Sequence, residues 1–339
     1  MSDNRAKAKK RLSLAFRWLS IMATAVTLWW FLRGLDVREL GAAVARADLG
    51  LLVLAVVLNI GGHLVRAASW VVMLGPRYAV PFGRLVYCEL AAQAASSISP
   101  ARAGEALRLW MLKQEDAPVA VTSALIVLKK ALGAASLGIL AVAAILLLSG
   151  LPRWAPVLVV LAAAAMAVLV MLLALAAFRV DSLRMPRFLR AMVDGMYVLR
   201  DPARFPLSFG IILTGEAIDA TAAFVILRAL HVGLSVAAAI FVLFFIDFSN
   251  ALPAAPANLG TFEVGAIYCL NLLHVPQAAG LAFALLFHAQ QVMPQIVIGL
   301  PFELHFLGKK RRESVAAVSD ATAVEVSQLR PFRKNHERL

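Results

Sequence analysis

Three charged side chains follow a proline at a break in an apolar stretch of this chain. Arg102, Glu105 and Arg108 come after Pro100 at spacings of three residues. On a helix, Glu105 and Arg108 share a face, and the free N–H groups at a helix start favour an anion. A guanidinium group binds phosphate through two parallel hydrogen bonds. The pattern fits a phosphate-binding site and, equally, a structural Arg–Glu contact that holds the break together.

Two adjacent lysines, Lys129 and Lys130, lie inside the apolar run 119–148. They are ten residues into the run, which is about 15 Å along a helix. A cation at this depth favours a functional role, in which a lysine binds a lipid phosphate. The alternative is that the lysine side chains extend to the cytoplasmic interface. Because adjacent helical residues point about 100° apart, we expect only one lysine to face the break.

A second broken stretch carries acidic residues instead. Its polar residues are Asp247, Asn258 and Glu263, and the preceding apolar run holds Glu216 and Asp219 at helical spacing. Buried carboxylates in membranes can relay protons, which makes Glu263, Asp247, Glu216 and Asp219 relay candidates. A structural ion pair between Glu263 and a cation such as Arg102 is the other interpretation.

Polar side chains at helical spacing also mark two apolar runs. One stripe holds His288, Gln291 and Gln295, and the other holds Asn59, His63 and Arg66. Such stripes bind a substrate or form hydrogen bonds between helices. We include His288 and Asn258 among the candidate substrate-binding residues, together with Arg102, Glu105, Arg108, Lys129, Lys130 and Glu263.

Membrane-spanning helices must position these residues. The 339-residue chain is 61% hydrophobic and 16% charged, whereas soluble domains are about 45–50% apolar and about 25% charged. The long apolar runs exceed the roughly 20 residues that a helix needs to cross a bilayer, and they lack the alternation of a barrel strand. The sequence predicts an all-α, polytopic membrane protein. Its full spans lie at about residues 14–32, 49–74, 119–148, 156–178, 206–230 and 279–305.

Two further apolar stretches, residues 81–116 and 235–274, are interrupted by proline, glycine and small polar residues. Proline ends a preceding helix, and the arm before Pro100 is too short to span a bilayer. We therefore predict two re-entrant hairpins, each made of a half-helix, a break and a second half-helix. A full span kinked at proline is the alternative.

The net charge of +13 is concentrated at the N-terminus, in the loop 179–204 and at residues 309–312. An excess of lysine and arginine marks cytoplasmic loops, and such clusters also contact anionic headgroups. This distribution favours a bacterial-type inner membrane with both termini cytoplasmic, and it argues against a nucleic-acid partner. The tail 311–339 is predicted to be polar and cytoplasmic.

The hairpins divide the chain into two similar units. Residues 49–148 form unit one and residues 206–305 form unit two, within one transmembrane domain of residues 1–310. Gly104-Glu105 corresponds to Gly260–Glu263, residues 116–118 to 274–276, and Lys129-Lys130 to residues 287–288. The two units enter the membrane from opposite sides. Inverted repeats with broken helices in matching places predict a transport site near the bilayer midplane.

No pattern in the chain indicates a metal, a cofactor or catalysis. Cys88 and Cys269 lie in apolar segments and resemble small buried hydrophobic residues. The spacings match neither a metal site nor a hydrolase or nucleotide motif. We therefore predict no metal, no cofactor and no catalytic residue.

Two of these motifs resemble a known family. The segment 100–108 resembles the P-x-R-x-G-E-x-x-R signature of the lysylphosphatidylglycerol synthase transmembrane-region family, which is described as flippase-like. Residues 258–263 resemble its second signature, a glycine-rich turn ending in G-T-x-E, and residues 59–70 resemble its first conserved region. The resemblance covers most of residues 10–310. Lys129-Lys130 replace an expected arginine–aspartate pair, and His288 replaces an expected arginine.

The resemblance implies a lipid translocase without the soluble aminoacyl-transferase domain of the full synthases. An anionic lipid or lipid-linked phosphate would bind between the two hairpins, near Arg102 and the lysine pair. We expect a transporter rather than an enzyme. A membrane-embedded enzyme or accessory subunit in lipid or glycan modification is the alternative, and a structural partner of another membrane protein is a third.

Overall fold

The computed structural model describes residues 37–98, 104–179, 185–250 and 256–299, with Met22, Val26 and Pro301. Every regular element in this part of the chain is helical. The helices are α1 (Val37–Ala45), α2 (Leu49–Leu74), α3 (Phe82–Ile98), α4 (Gly104–Lys113), α5 (Val119–Ile145), α6 (Trp154–Phe178), α7 (Arg187–Gly195), α8 (Arg204–Ala229), α9 (Val236–Asn250), α10 (Thr261–Leu272) and α11 (Gln277–Pro294). A π-helical turn, Gln295–Gly299, continues α11 past Pro294.

Five helices in the described ranges are long and apolar enough to cross a membrane. They are α2, α5, α6, α8 and α11 with its π turn, and they coincide with five of the six predicted spans. The first predicted span, 14–32, lies outside the described residues apart from Met22 and Val26, and the tail 311–339 lies wholly outside them. The helical membrane fold is confirmed.

The first hairpin consists of α3 and α4, whose arms lie side by side. Arg108 on α4 contacts Glu89 on α3 at 3.2 Å. In a continuous helix these two residues would be about 28 Å apart along the axis. Gly104 explains the close approach of the arms, because a Cβ there would lie 1.7 Å from the carbonyl oxygen of Ala92. The chain therefore turns back, and the kinked-span alternative does not apply.

The second hairpin, α9 and α10, is built in the same way. Its close contact is at Gly265, where a Cβ would lie 2.9 Å from the carbonyl oxygen of Phe245 and 2.2 Å from Ser249 Oγ. The rings of Phe245 and Tyr268 are 6.4 Å apart, which again brings the second arm back along the first. Glycine thus allows both second arms to pack against their first arms.

The same junction follows each hairpin. Shortly after α4 comes Asp116 (φ 61°), and shortly after α10 comes His274 (φ 60°), both in the left-handed region. Two residues later, Pro118 and Pro276 precede the first residues of α5 and α11. Proline pre-sets φ and lacks an N–H donor, so it suits a helix start. The prediction that these segments open the next span is confirmed.

Two apolar cores lie along the long helices, one around each hairpin. One core joins α3 and α4 to the C-terminal part of α2, including Trp70, and to the N-terminal part of α5. The other joins α9, α10 and α11 to the C-terminal part of α8 and to Ala55 near the start of α2. The hairpins therefore occupy opposite ends of the long helices. α3 also packs against the turn Pro256–Asn258 that precedes α10.

Candidate functional site

Glu89 lies at the centre of a buried polar cluster beside the first hairpin. Its Oε2 accepts hydrogen bonds from Trp70 Nε1 at 3.0 Å, Arg108 Nη2 at 3.2 Å and Lys129 Nζ at 3.2 Å. The Glu89 side chain is 2% exposed. The Arg108 guanidinium and the Lys129 ammonium also lie over the indole ring of Trp70, at 5.5 and 5.0 Å from its centroid. This buried carboxylate accepts from three donors on three different helices, so it holds α2, α3, α4 and α5 together.

Glu89 is a functional candidate that the sequence analysis missed, although a signal was present. It is a carboxylate inside the apolar arm Phe82–Ile98, and ionisable residues within membrane segments usually have a partner or a function. Its two cationic partners, Arg108 and Lys129, were both predicted candidates.

Glu105 extends the cluster toward its accessible edge by bridging two cations. Its Oε2 accepts from Arg108 Nη1 at 2.8 Å, and its Oε1 lies 2.7 Å from Lys130 Nζ. The Lys130 side chain is 54% exposed, so the edge of the cluster is open. The expectation that only one lysine faces the hairpin is wrong. Lys129 reaches α3 and Lys130 reaches α4, because the two arms lie on either side of this face of α5.

The cluster carries an excess of positive charge. We define the Glu89 cluster as Trp70, Glu89, Glu105, Arg108, Lys129 and Lys130, which holds three cations against two carboxylates. Lys129 Nζ also donates to the carbonyl oxygen of Arg66 at 3.0 Å, so it does not extend to the interface. The Arg66 guanidinium is held separately, by Asp219 on α8 at 2.6 Å.

The second hairpin carries a separate acid–base pair. His288 Nδ1 lies 2.6 Å from Glu263 Oε1, and the Gly260 N–H donates to Glu263 Oε2 at 2.7 Å. Both side chains are buried, and the ring of Phe262 stacks on His288 with centroids 4.4 Å apart. Glu263 therefore pairs with His288, its neighbour on α11. Asn258 lies in the turn before α10, where its carbonyl oxygen accepts from Thr261 Oγ1 at 3.1 Å.

The remaining relay candidates are Glu216 and Asp219 on α8 and Asp247 on α9. Asp219 is the partner of Arg66. Glu216 lies against α5, where its Oε1 is 3.3 Å from the position of a Cβ on Gly133. Asp247 and Asp219 both act electrostatically on Glu216. Among the described residues, Asp219 is thus paired with Arg66, whereas Glu263 is paired with His288.

Part of the predicted stripe on α2 is buried without protein partners. Asn59 and His63 are fully buried, and all four of their side-chain polar atoms lack a hydrogen-bond partner within the described ranges. The side-chain amide nitrogen and oxygen of Gln290 on α11 are also buried without a hydrogen-bond partner within the described ranges. Such groups are costly to leave unpaired, by about 1–3 kcal/mol each, so bound water or a polar ligand is expected there.

The structure therefore separates the predicted site residues into two groups. Glu105, Arg108, Lys129 and Lys130 meet in the Glu89 cluster, while Glu263 and His288 form a pair at the second hairpin. Arg102 lies outside the described residues. The described residues contain no group of three or more His, Cys, Asp or Glu that could hold a metal ion.

A protein-family model matches most of the chain. The model of the family described as "Lysylphosphatidylglycerol synthase TM region" matches residues 17–299. This range includes both hairpins and all five long helices. No curated protein matches the chain.

Proposed function

The chain belongs to the lysylphosphatidylglycerol synthase transmembrane-region family, and from this premise we propose that it binds and translocates an anionic lipid or lipid-linked phosphate. The family match and the helical fold together indicate a multi-pass membrane protein with a lipid-related role. The finer proposal concerns the ligand and its movement. Both are argued from the Glu89 cluster.

One observation carries the proposal: Glu105 bridges Arg108 and Lys130 at the open edge of a cluster with excess positive charge. A carboxylate that accepts from two cations occupies the position that a phosphate would take. An incoming phosphate would displace Glu105 and meet Lys130, with Arg108 and Lys129 behind it. Buried Glu89 would keep these two cations in place in both states.

The arrangement of the hairpins supports movement of such a ligand. They lie at opposite ends of the long helices, with α3 against the turn before α10. We propose that residues 49–148 and 206–305 form an inverted repeat, and that rocking of one unit against the other exposes the site to each side in turn. The topology that we propose places both termini on the cytoplasmic side of an inner membrane.

Binding tests the site first. The purified protein is titrated with phosphatidylglycerol, a polyprenyl phosphate and zwitterionic phosphatidylcholine, and binding is measured by native mass spectrometry. Loss of one charged hydrogen bond is worth about 1.5–3 kcal/mol, so Lys130→Ala should weaken binding of the anionic lipid about 10- to 100-fold. Glu105→Gln should tighten it, because the competing carboxylate loses its charge. The preferred phosphate lipid identifies the substrate class.

Arg84→Ala is the matched control. Arg84 is also half exposed and also paired with a carboxylate, Glu115, at 3.1 Å, but it lies outside the cluster. The control should bind like the wild type. Equal affinity of wild type, Lys130→Ala and Glu105→Gln would assign the cluster a structural role and overturn the proposed site.

Translocation is then measured in proteoliposomes that contain a fluorescent phosphatidylglycerol analogue, by reduction of the outer-leaflet probe with dithionite. The wild type and Arg84→Ala should transfer the probe between leaflets faster than liposomes without protein do. Lys130→Ala should lose most of this acceleration. Tight binding of the lipid without any transfer would refute translocation while leaving the binding site intact.

A further inference from the structure

The two hairpins carry acid–base pairs in equivalent positions. Glu105 and Glu263 lie in the first turns of α4 and α10. Their partners, Lys130 and His288, are each the twelfth residue of the following long helix. Each pair joins residues 25 positions apart along the chain, with contacts of 2.7 and 2.6 Å. The pairs differ in chemistry: lysine is charged throughout the physiological range, whereas histidine gains and loses its proton within it.

The contacts of His288 define where a proton would bind. Nδ1 is held by Glu263, so Nε2 is the ring nitrogen that this carboxylate does not engage. With Nδ1 as the donor to Glu263, the lone pair of the neutral ring is on Nε2. The proton therefore adds to Nε2 and gives an imidazolium that is paired with Glu263. The stacked ring of Phe262 also favours the cationic form.

Glu263 is arranged to remain the charged partner. It lies in the first turn of α10, where the helix dipole favours an anion, and it accepts the N–H of Gly260. The other helices packed against α11 are α1, α2 and α8. Their ionisable residues are Arg38 and Glu39 on α1, His63 and Arg66 on α2, and Arg204, Glu216, Asp219 and Arg228 on α8. Of these, Arg66 is held by Asp219.

We propose that His288, held by Glu263, is the proton-binding site that couples lipid movement to the proton gradient across the membrane. The inference rests on the proposed translocase function and adds its coupling ion. Protonation gives the second hairpin a neutral ion pair like Glu105–Lys130, and this pair holds α10 against α11. Loss of the proton leaves a net negative charge between buried surfaces and releases α10. Binding from one side and release to the other makes this cycle directional.

The test applies a pH gradient to the translocation assay. For the wild type, a gradient of about one pH unit should shift the leaflet ratio of the phosphatidylglycerol probe by up to about tenfold, for one proton per lipid. His288→Lys, which copies the charge of Lys130, and His288→Gln should abolish the response to the gradient. His231→Gln is the matched control, because His231 is an exposed histidine at the end of α8, and it should retain the response.

A second readout does not require transport. NMR titration of the His288 ring in detergent should show a midpoint that moves in Glu263→Gln. Lipid transfer that ignores the gradient in the wild type would overturn the proton inference and leave the proposed function standing. If the wild type transfers no lipid, the proposed function fails, and coupling of a proton to lipid movement fails with it. The titration then decides whether the proton site itself exists, and an unmoved midpoint in Glu263→Gln refutes it.

Discussion

Replacing Glu89 with glutamine should strongly destabilise the protein. The change keeps the shape of the side chain and an oxygen that can accept from Trp70, but it removes the negative charge that faces Arg108 and Lys129 at 3.2 Å each. Both cations are largely buried, at 8% and 14% exposure. Glutamine leaves them in the cluster without their shared counter-charge.

The size of the effect follows from burial. Removing one partner of a buried ion pair costs about 3–5 kcal/mol. Arg108 keeps Glu105, and Lys129 keeps the carbonyl oxygen of Arg66, so we expect the lower end, about 3 kcal/mol. Glu115→Gln breaks the more exposed pair with Arg84 and should cost less than about 1 kcal/mol.

Unfolding in detergent, followed by tryptophan fluorescence during chemical denaturation, measures the difference. The double variant Glu89→Gln/Lys129→Met provides the internal check, because it removes one of the two unpaired cations. It should be less destabilised than the sum of the single variants, with a coupling of about 0.5–3 kcal/mol. Equal stability of Glu89→Gln and Glu115→Gln would refute the assignment of Glu89 as the centre of the cluster.

Three further predictions concern the hairpin, a helix cap and the topology. Gly104→Ala should lower the thermal midpoint, since its Cβ would meet a carbonyl oxygen of α3, whereas Gly83→Ala, with nothing within 4 Å, should leave the midpoint unchanged or raise it. The pKa of Asp201, which precedes α8, lies below its ordinary value because the backbone N–H groups of Arg204 and Ala203 donate to it. Its contribution to stability should therefore be present above about pH 4 and be lost as the pH falls through the lowered pKa, so stability curves of the wild type and Asp201→Asn should converge in acid. A membrane-impermeant maleimide should label Gln114→Cys only from the cytoplasmic side and Ser149→Cys only from the opposite side; labelling of both from one side contradicts the proposed topology.

Much of the fold follows from the sequence because the bilayer limits the choices. Long apolar runs must be helices of fixed minimum length, and the runs 49–74 and 119–148 accordingly became α2 and α5. The positions of proline and glycine in the sequence predicted where each hairpin is interrupted. The second arms of the hairpins were harder to predict from the sequence. α4 has only ten residues, and its position depends on the packing of Gly104 against α3.

The site was harder to predict because its partners are distant in sequence. Glu105 and Arg108 are neighbours on one helix, so their contact could be expected from spacing. The meeting of Glu89 with Lys129 depends on how α3 packs against α5, which no local pattern encodes. The same holds for Glu263, whose partner is His288. Lys129 and Lys130 are adjacent, yet each contacts a carboxylate, because the two arms of the first hairpin lie on either side of this face of α5.

The most direct test of the central claim is the position of a lipid phosphate in a structure determined with saturating phosphatidylglycerol, or with the polyprenyl phosphate if that lipid binds more tightly. We predict phosphate density within hydrogen-bond distance of Lys130 Nζ, about 3 Å, with the Glu105 carboxylate displaced from Lys130. An intact Glu105–Lys130 contact, with lipid phosphate only at the periphery of the helices, would contradict the account.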